Sequence, residues 1–314
     1  MKILFMGTPD FAVSSLKALV DAGHEIVGVV TQADKPKGRG YVLTPPPVKA
    51  YALDAGLTVY QPATLRNGAF DAEIAAMAPD LIVVVAFGKI LPQSVLDAPR
   101  LGCINVHGSL LPAYRGAAPM QRAIIEGQDK TGITTMYMAA GLDTGDMLLK
   151  TEVDILEDDN FETIHDKLAA AGADTLLRTL EALEAGTLTA VPQDDSLATY
   201  AAKIEKEDCL IDFNKPVKQV HDLIRGVSPM PLAFTHTPDG KLLKVPAARR
   251  EKLTGHYGTP GIILRLDASK DGGIEVACAE GTLLITRVVP EGKGQMSAAD
   301  YIRGRKVREG DILA

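Results

Sequence analysis

The chain has 314 residues, 46% of them hydrophobic and 23% charged, with a formal net charge of −7. That length fits about two domains of ~150 residues each, and the balance excludes a disordered chain, a collagen-like repeat and a pure coiled coil. The longest apolar run, Leu81 to Phe87, is far short of the ~18 residues that would suggest a membrane-spanning helix.

The N-terminus, MKILFMGTPDF, places Gly, Pro and Asp soon after a short apolar run. It lacks the long apolar stretch and small-residue cleavage site of a signal peptide, so a cytoplasmic, unprocessed protein with no membrane attachment is expected. KILFMG reads as a buried parallel strand ended by Gly7. Residues 10–22 follow as a helix, with Phe11, Leu16, Leu19 and Val20 on one face and Gly23 closing it. EIVGVVT is a second strand and TVYQP a short third one. A helix over 68–78 stops near Pro79. DLIVVVAF is the strongest strand signal in the chain, and GCINVHG is another. Strands and helices alternating in this way predict an α/β domain with a mostly parallel, doubly wound sheet.

The next segment changes character. ITTMYMA and MLLKTEVDI flank the turn-rich GLDTGD and read as a hairpin or bent connection at the sheet edge. A long amphipathic helix is predicted over 161–185, ended by Gly186. Residues 187–204 are the best linker candidate, which sets the expected domains at 1–186 and 205–314. The second half carries a helix around 216–225, then KLLKVPAA, GIILRLD, GIEVACA and TLLITRVV at short spacing. These strands predict a small β-barrel, OB-like in its type. SAADYIRGR closes as a short helix with Ser297 as its N-cap. Met230 and Phe234 in SPMPLAF are expected to pack at the domain junction.

Several chemistries are unsupported. The loop after the first strand reads GTPDF, neither GxGxxG nor GxxxxGK[ST], so a dinucleotide or ATP cofactor is set aside. There is no GxSxG elbow. Three cysteines, Cys103, Cys209 and Cys278, lie far apart without CxxC or HExxH, so neither a disulfide framework nor a metal site is expected. Residues 1–204 hold 16 Lys and Arg against 25 Asp and Glu, while residues 205–314 hold 17 against 15. The contrast fits a polyanion contact by the second half, and equally a solvated surface of mixed sign. Lys241, Lys244, Arg249, Arg250 and Lys252 offer a phosphate-facing strip or simply a solvated face.

In an open parallel sheet, ligands bind at the carboxyl ends of the strands. INVHGSLLP is such a place. Asn105 and His107 are two apart on a strand and so share a face. A carboxamide donor beside an imidazole suits a carbonyl under attack, the donor holding the developing oxyanion and the imidazole bonding it or moving a proton. Asp143 and Asp146 in GLDTGD could supply a carboxylate that orients the imidazole. The same residues fit a bland reading equally well: strand-end histidines commonly make structural hydrogen bonds, and both acids suit Asx turns.

NVHGSLLP, YRGAAP at 114–119 and GLDTGD at 141–146 together resemble the folate-dependent formyltransferases. FMGTPDFA and TQADKPKGRG match the same family in order and spacing. The resemblance implies that Asn105, His107 and Asp143 are the catalytic trio and that Ser109, Leu110, Leu111 and Pro112 contact folate. It implies that the backbone at Ala86, Phe87 and Gly88 lines the pterin pocket. The co-substrate would be 10-formyltetrahydrofolate, with no metal. RGAAP, the GRG loop and a C-terminal barrel favour members acting on the α-amine of methionyl-initiator tRNA, here as a monomer. The alternative is a sugar-nucleotide amine, although relatives of that kind often carry an extra sugar-nucleotide domain and the sequence closes at Ala314. The loop 31–47 would then enter the tRNA acceptor end, with Arg39 matching the family's Arg and Tyr41 able to stack on an unpaired base. Tyr41 and Val42 stand where further basic residues are often found, which would flatten the salt dependence of binding.

Overall fold

The computed structural model describes residues 1–37 and 41–314. Its contacts divide the chain into two compact units. The first comprises Met1–Gly116, Thr131–Asp154 and His165–Ala201, and the second Ala117–Lys130, Ile155–Ile164 and Ala202–Ala314. Residues 187–201, expected to be linker, therefore run within the first unit.

The first unit is built on a seven-stranded sheet. Its spatial order is Met147–Asp154, Lys130–Tyr137, Cys103–His107, Leu81–Val85, Lys2–Gly7, Glu25–Val30 and Val59–Tyr60. Four of its pairings are parallel, and Cys103–His107 meets Lys130–Tyr137 antiparallel. The uninterrupted apolar run Leu81–Val85 is buried at every position, as a central strand covered on both faces must be. At the edge, Met147–Asp154 buries only Leu148, and from Leu149 onward partly buried residues alternate with exposed ones, which is the pattern of a strand with one solvated face.

Helix Phe11–Asp21 buries Phe11, Ala12, Leu16 and Leu19, and Asp10 accepts a hydrogen bond from the Phe11 amide at its start. The helix Phe161–Glu184 buries Leu168, Leu176 and Leu180 completely. Each such side chain removed from water stabilises the fold by roughly 1.5–3 kcal/mol. Thr175 and Thr179 of this helix are equally buried. Their hydroxyls meet those of Thr151 and Thr135 at 2.6 and 2.8 Å, so the polar atoms are satisfied inside the core.

In the second unit, antiparallel strands run in the order Ala233–His236, Leu242–Lys252, Thr282–Pro290, Ile274–Ala277 and Ile263–Leu266. The ends of this sheet are joined by the C-terminal residues. The Ile263 amide donates to Asp311 at 2.8 Å, and His236 and Ala314 exchange hydrogen bonds at 2.7 and 3.1 Å. Closing a sheet in this way satisfies the edge groups that would otherwise be open. Helix Val217–Gly226 turns Val217, Val220 and Ile224 into the core, and Ser297 caps the last helix by accepting from the Asp300 amide at 3.1 Å. Phe234 lies in this core. Met230, expected to pack with it, is instead 73% exposed, at the turn formed by Ser228–Pro231.

The basic strip is largely closed by partners inside the second unit. Arg250 pairs with Glu157, Lys252 with Glu275, Arg249 with Glu251 and Lys241 with Asp239. Lys244 donates to the Pro231 carbonyl.

Candidate active site

Strand Cys103–His107 alternates its side chains across the sheet. Val106 packs toward Gly172 of the long helix, so Asn105 and His107 face the other way. The Asn105 side chain is half-buried and has no hydrogen-bond partner among the described residues. His107 is 5% exposed. Its Nε2 lies 3.0 Å from the Tyr114 carbonyl oxygen. A carbonyl only accepts, so Nε2 carries the hydrogen and the neutral ring keeps its lone pair on Nδ1.

Nδ1 faces Asp143. Its distance to Oδ2 is 3.7 Å, too long for a direct hydrogen bond. The same Oδ2 accepts the Gly116 amide at 2.9 Å. Asp143 sits at φ +51°, a left-handed conformation that Asp tolerates better than most residues. The strand end and the Gly-bounded turn, 36 residues apart in sequence, thus converge on one imidazole, with Asn105 on the same strand face.

The loop after His107 is held from below. Thr134, opposite His107 in the antiparallel pair, donates to the Ser109 carbonyl at 2.7 Å and accepts the Leu111 amide at 3.1 Å. Lys150 donates to the Leu111 carbonyl, and burial pulls this lysine below its ordinary pKa. Ser109 and Leu111 are fully buried, and the Ser109 hydroxyl donates to the Ala113 carbonyl at 2.6 Å. Their side chains are committed to the protein interior, whereas Leu110 and Pro112 remain half-exposed. Phe87 is likewise a core side chain at 2% exposure, but its carbonyl accepts from Thr8 and Gln32 at the end of the central strands. Gly88, at φ +75°, would place a Cβ 2.6 Å from the Gln32 amide nitrogen.

The loop over 31–47 contains a two-stranded ribbon, Lys35–Lys37 against Val42–Thr44. Tyr41 stands at its turn, 80% exposed. Arg39 lies outside the described residues. A concavity lined by Asp71, Ile74, Asp80 and Arg100 sits at the amino ends of the strands and shares none of these groups.

Thr134, Lys150, Arg115 and Gln193 also support the site. Arg115 lies in YRGAAP and Thr134 and Lys150 in the expected edge strands ITTMYMA and MLLKTEVDI, but nothing in the sequence marks these three or Gln193 as supporting residues.

Residues 1–180 match the family described as formyl transferase, and residues 203–306 match the formyl transferase C-terminal domain. The chain belongs to the formyl transferase family. Proteins named methionyl-tRNA formyltransferase are among its relatives. That of Geotalea uraniireducens is 48% identical over 313 residues, covering 100% of this chain and 98% of the relative. That of Bacillus licheniformis is 48% identical over 309 residues, covering 98% and 96%. Among solved structures, the fold is shared with an N-formyltransferase from Helicobacter canadensis in complex with folinic acid and dTDP-3-aminofucose. The TM-score is 0.68 and the identity 16%, over 91% of this chain and 98% of that one. It is also shared with HypX from Aquifex aeolicus in complex with tetrahydrofolic acid, with a TM-score of 0.66 and 19% identity, over 96% of this chain and 47% of that one. The family assignment gives the fold its reaction class, the transfer of a formyl group.

Proposed function

We propose that this chain transfers a formyl group from 10-formyltetrahydrofolate to the α-amine of methionyl-initiator tRNA, acting as a monomer in the cytoplasm. Identity of 48% along the whole chain to relatives named for that reaction carries the acceptor assignment. The approach of His107 Nδ1 to Asp143 beside Asn105 carries the chemistry.

The α-amine attacks in its neutral form, which is available because such groups titrate near ~7.7–8.0. Its nitrogen forms a bond to the formyl carbon, and the carbonyl oxygen takes up the electron pair. The Asn105 carboxamide donates to that oxyanion, the placement in which a donor is worth most. His107 acts through Nδ1, because Nε2–H is held by Tyr114. Nδ1 takes the proton from the amine and returns it to the folate nitrogen as the carbon–nitrogen bond to folate breaks. Asp143 faces the imidazolium formed between those steps and stabilises it. Leu110, Pro112 and the backbone at Phe87 and Gly88 contact the folate. Ser109 and Leu111 act through the loop they anchor. Arg39 and Tyr41 contact the tRNA, Tyr41 by stacking.

The assignment is tested by offering the purified protein 10-formyltetrahydrofolate with methionyl-initiator tRNA, uncharged tRNA or an amino-sugar nucleotide. Formylation of the charged tRNA alone is expected. Formylation of the amino sugar alone, or of none, contradicts it.

A further inference from the structure

The turn that carries Asp143 is held from outside itself. A non-glycine residue at positive φ persists when its surroundings over-determine it, and here the surroundings can be named. Gln193 Nε2 donates to the carbonyls of both Asp143 and Gly145, each at 2.8 Å. One amide therefore brackets the turn on either side of Thr144. The amide is itself oriented, because Gln193 Oε1 accepts from Arg115 Nε at 3.0 Å and Nη2 at 2.8 Å. Arg115 is 2% exposed, and its second partner, Asp195 at 2.7 Å, is a surface carboxylate. Gln193 is half-buried within a stretch, 191–197, that is otherwise exposed.

The strap bearing Gln193 is tied at both ends. Val191 exchanges backbone hydrogen bonds with Met147, and Tyr200–Ala201 pairs with Arg115–Gly116. Gly116 in turn donates to Asp143 Oδ2. Arg115, Gln193 and the Asp143 turn thus form one closed circuit, which ends at the carboxylate facing His107.

We propose that Gln193 is a positioning residue of the formyl-transfer site: its amide, aligned by Arg115, fixes the turn that sets the Asp143 carboxylate against His107 Nδ1. The inference rests on the proposed role of Asp143. Gln193→Glu isolates the effect. A glutamate keeps the length and still accepts from Arg115, but it has no hydrogen for the two turn carbonyls and repels them.

The folded variant, checked by its melting temperature, should lose roughly 10- to 100-fold in kcat, as expected when a reacting group shifts by about 1 Å, with KM for both substrates unchanged. In an Asp143→Asn background the same substitution should cost little more, because the two act as a unit. In the unliganded protein, hydrogen exchange of the Gly116 amide should accelerate while that of Leu81–Val85 does not. Unchanged kcat, an undiminished loss in the Asp143→Asn background, or unaltered Gly116 exchange would each overturn the proposal. If the glutamate variant fails to fold, Gln193→Asn, whose shorter amide cannot span Arg115 and the turn together, takes the same readings. The exchange measurement needs no turnover, so a chain that failed to formylate methionyl-tRNA would overturn the reaction while leaving this geometry open to its own test.

Discussion

The two units treat their polar groups in opposite ways. In the second, buried charge is closed by partners. Glu275 is 4% exposed, yet it accepts from Thr282 and meets both Lys252 and Arg265. Burial alone would raise its carboxyl pKa, but the hydrogen bonds from Thr282, Arg265 and Lys252 outweigh that and hold it below the usual value. In the first unit, the carboxyl ends of the strands keep capacity in reserve. The Asn105 side chain is unpartnered among the described residues, and the His107–Asp143 pair stops short of a hydrogen bond. Of the non-glycine residues at positive φ, Ala86, Tyr114 and Asp143 lie in these stretches, while others, among them Leu232 and Arg305 of the second unit, lie elsewhere. Unspent hydrogen-bonding capacity and backbone strain together are what a site for an incoming reactant requires, while closed pairs are what a scaffold requires.

The largest effect that would sharpen this contrast is at His107. His107→Ala should lower kcat by ~10²–10³, the scale of losing one aligned group in an electrostatically organised site, with little change in melting temperature. Near-normal turnover in the folded variant would break the contrast at its centre. In the second unit the signs reverse. Glu275→Gln should cost roughly 1–3 kcal/mol of stability, the scale for hydrogen bonds to charged groups, moderated because Arg265 and Lys252 are about half exposed. Its kcat per folded molecule should stay at the wild-type value. Thermal unfolding and active-site-normalised turnover check the two halves of that statement.

A smaller effect separates the units by pH. His221 is pushed below its ordinary pKa of 6.5, by burial first and by neighbouring Arg225 second, with Asp222 opposing. Arg250 and Glu157 also face it, with opposite signs. The unfolded chain therefore takes up the proton before the folded one does. Stability from this group is present above about pH 6.5 and is lost as pH falls toward the folded pKa. Unfolding measured from pH 7 down to 5 should show that loss in the wild type and a flatter profile in His221→Gln. Identical profiles would remove His221 from the account.

Much of this organisation is legible in the residues themselves. Leu81–Val85 announces a central strand because both its faces must be apolar. Asn105 and His107 share a face because strands alternate, and GLDTGD marks a turn because glycine and aspartate favour one. Arg115, Thr134, Lys150 and Gln193 escape such reading because their partners lie far off along the chain. Gln193 bonds the Asp143 carbonyl across 50 residues, and Lys150 reaches Leu111 across 39. Residues 187–204 look like a linker because they are polar and rich in turn formers, yet such a composition suits equally a strap whose few inward groups do the holding. The barrel's basic residues read as a strip because two of the carboxylates that face them, Glu157 and Glu275, come from elsewhere in the chain, although Asp239 and Glu251 stand close by in sequence.

The central claim is that Asp143, through His107, takes part in the transfer step itself. It is tested most directly by the single-turnover rate of formyl transfer to methionyl-initiator tRNA, with both substrates saturating, in Asp143→Asn against the wild type. The carboxamide keeps the size of the side chain and an oxygen for the Gly116 amide but removes the charge facing Nδ1. A fall of about 10² or more is predicted, and an unchanged rate would contradict the account.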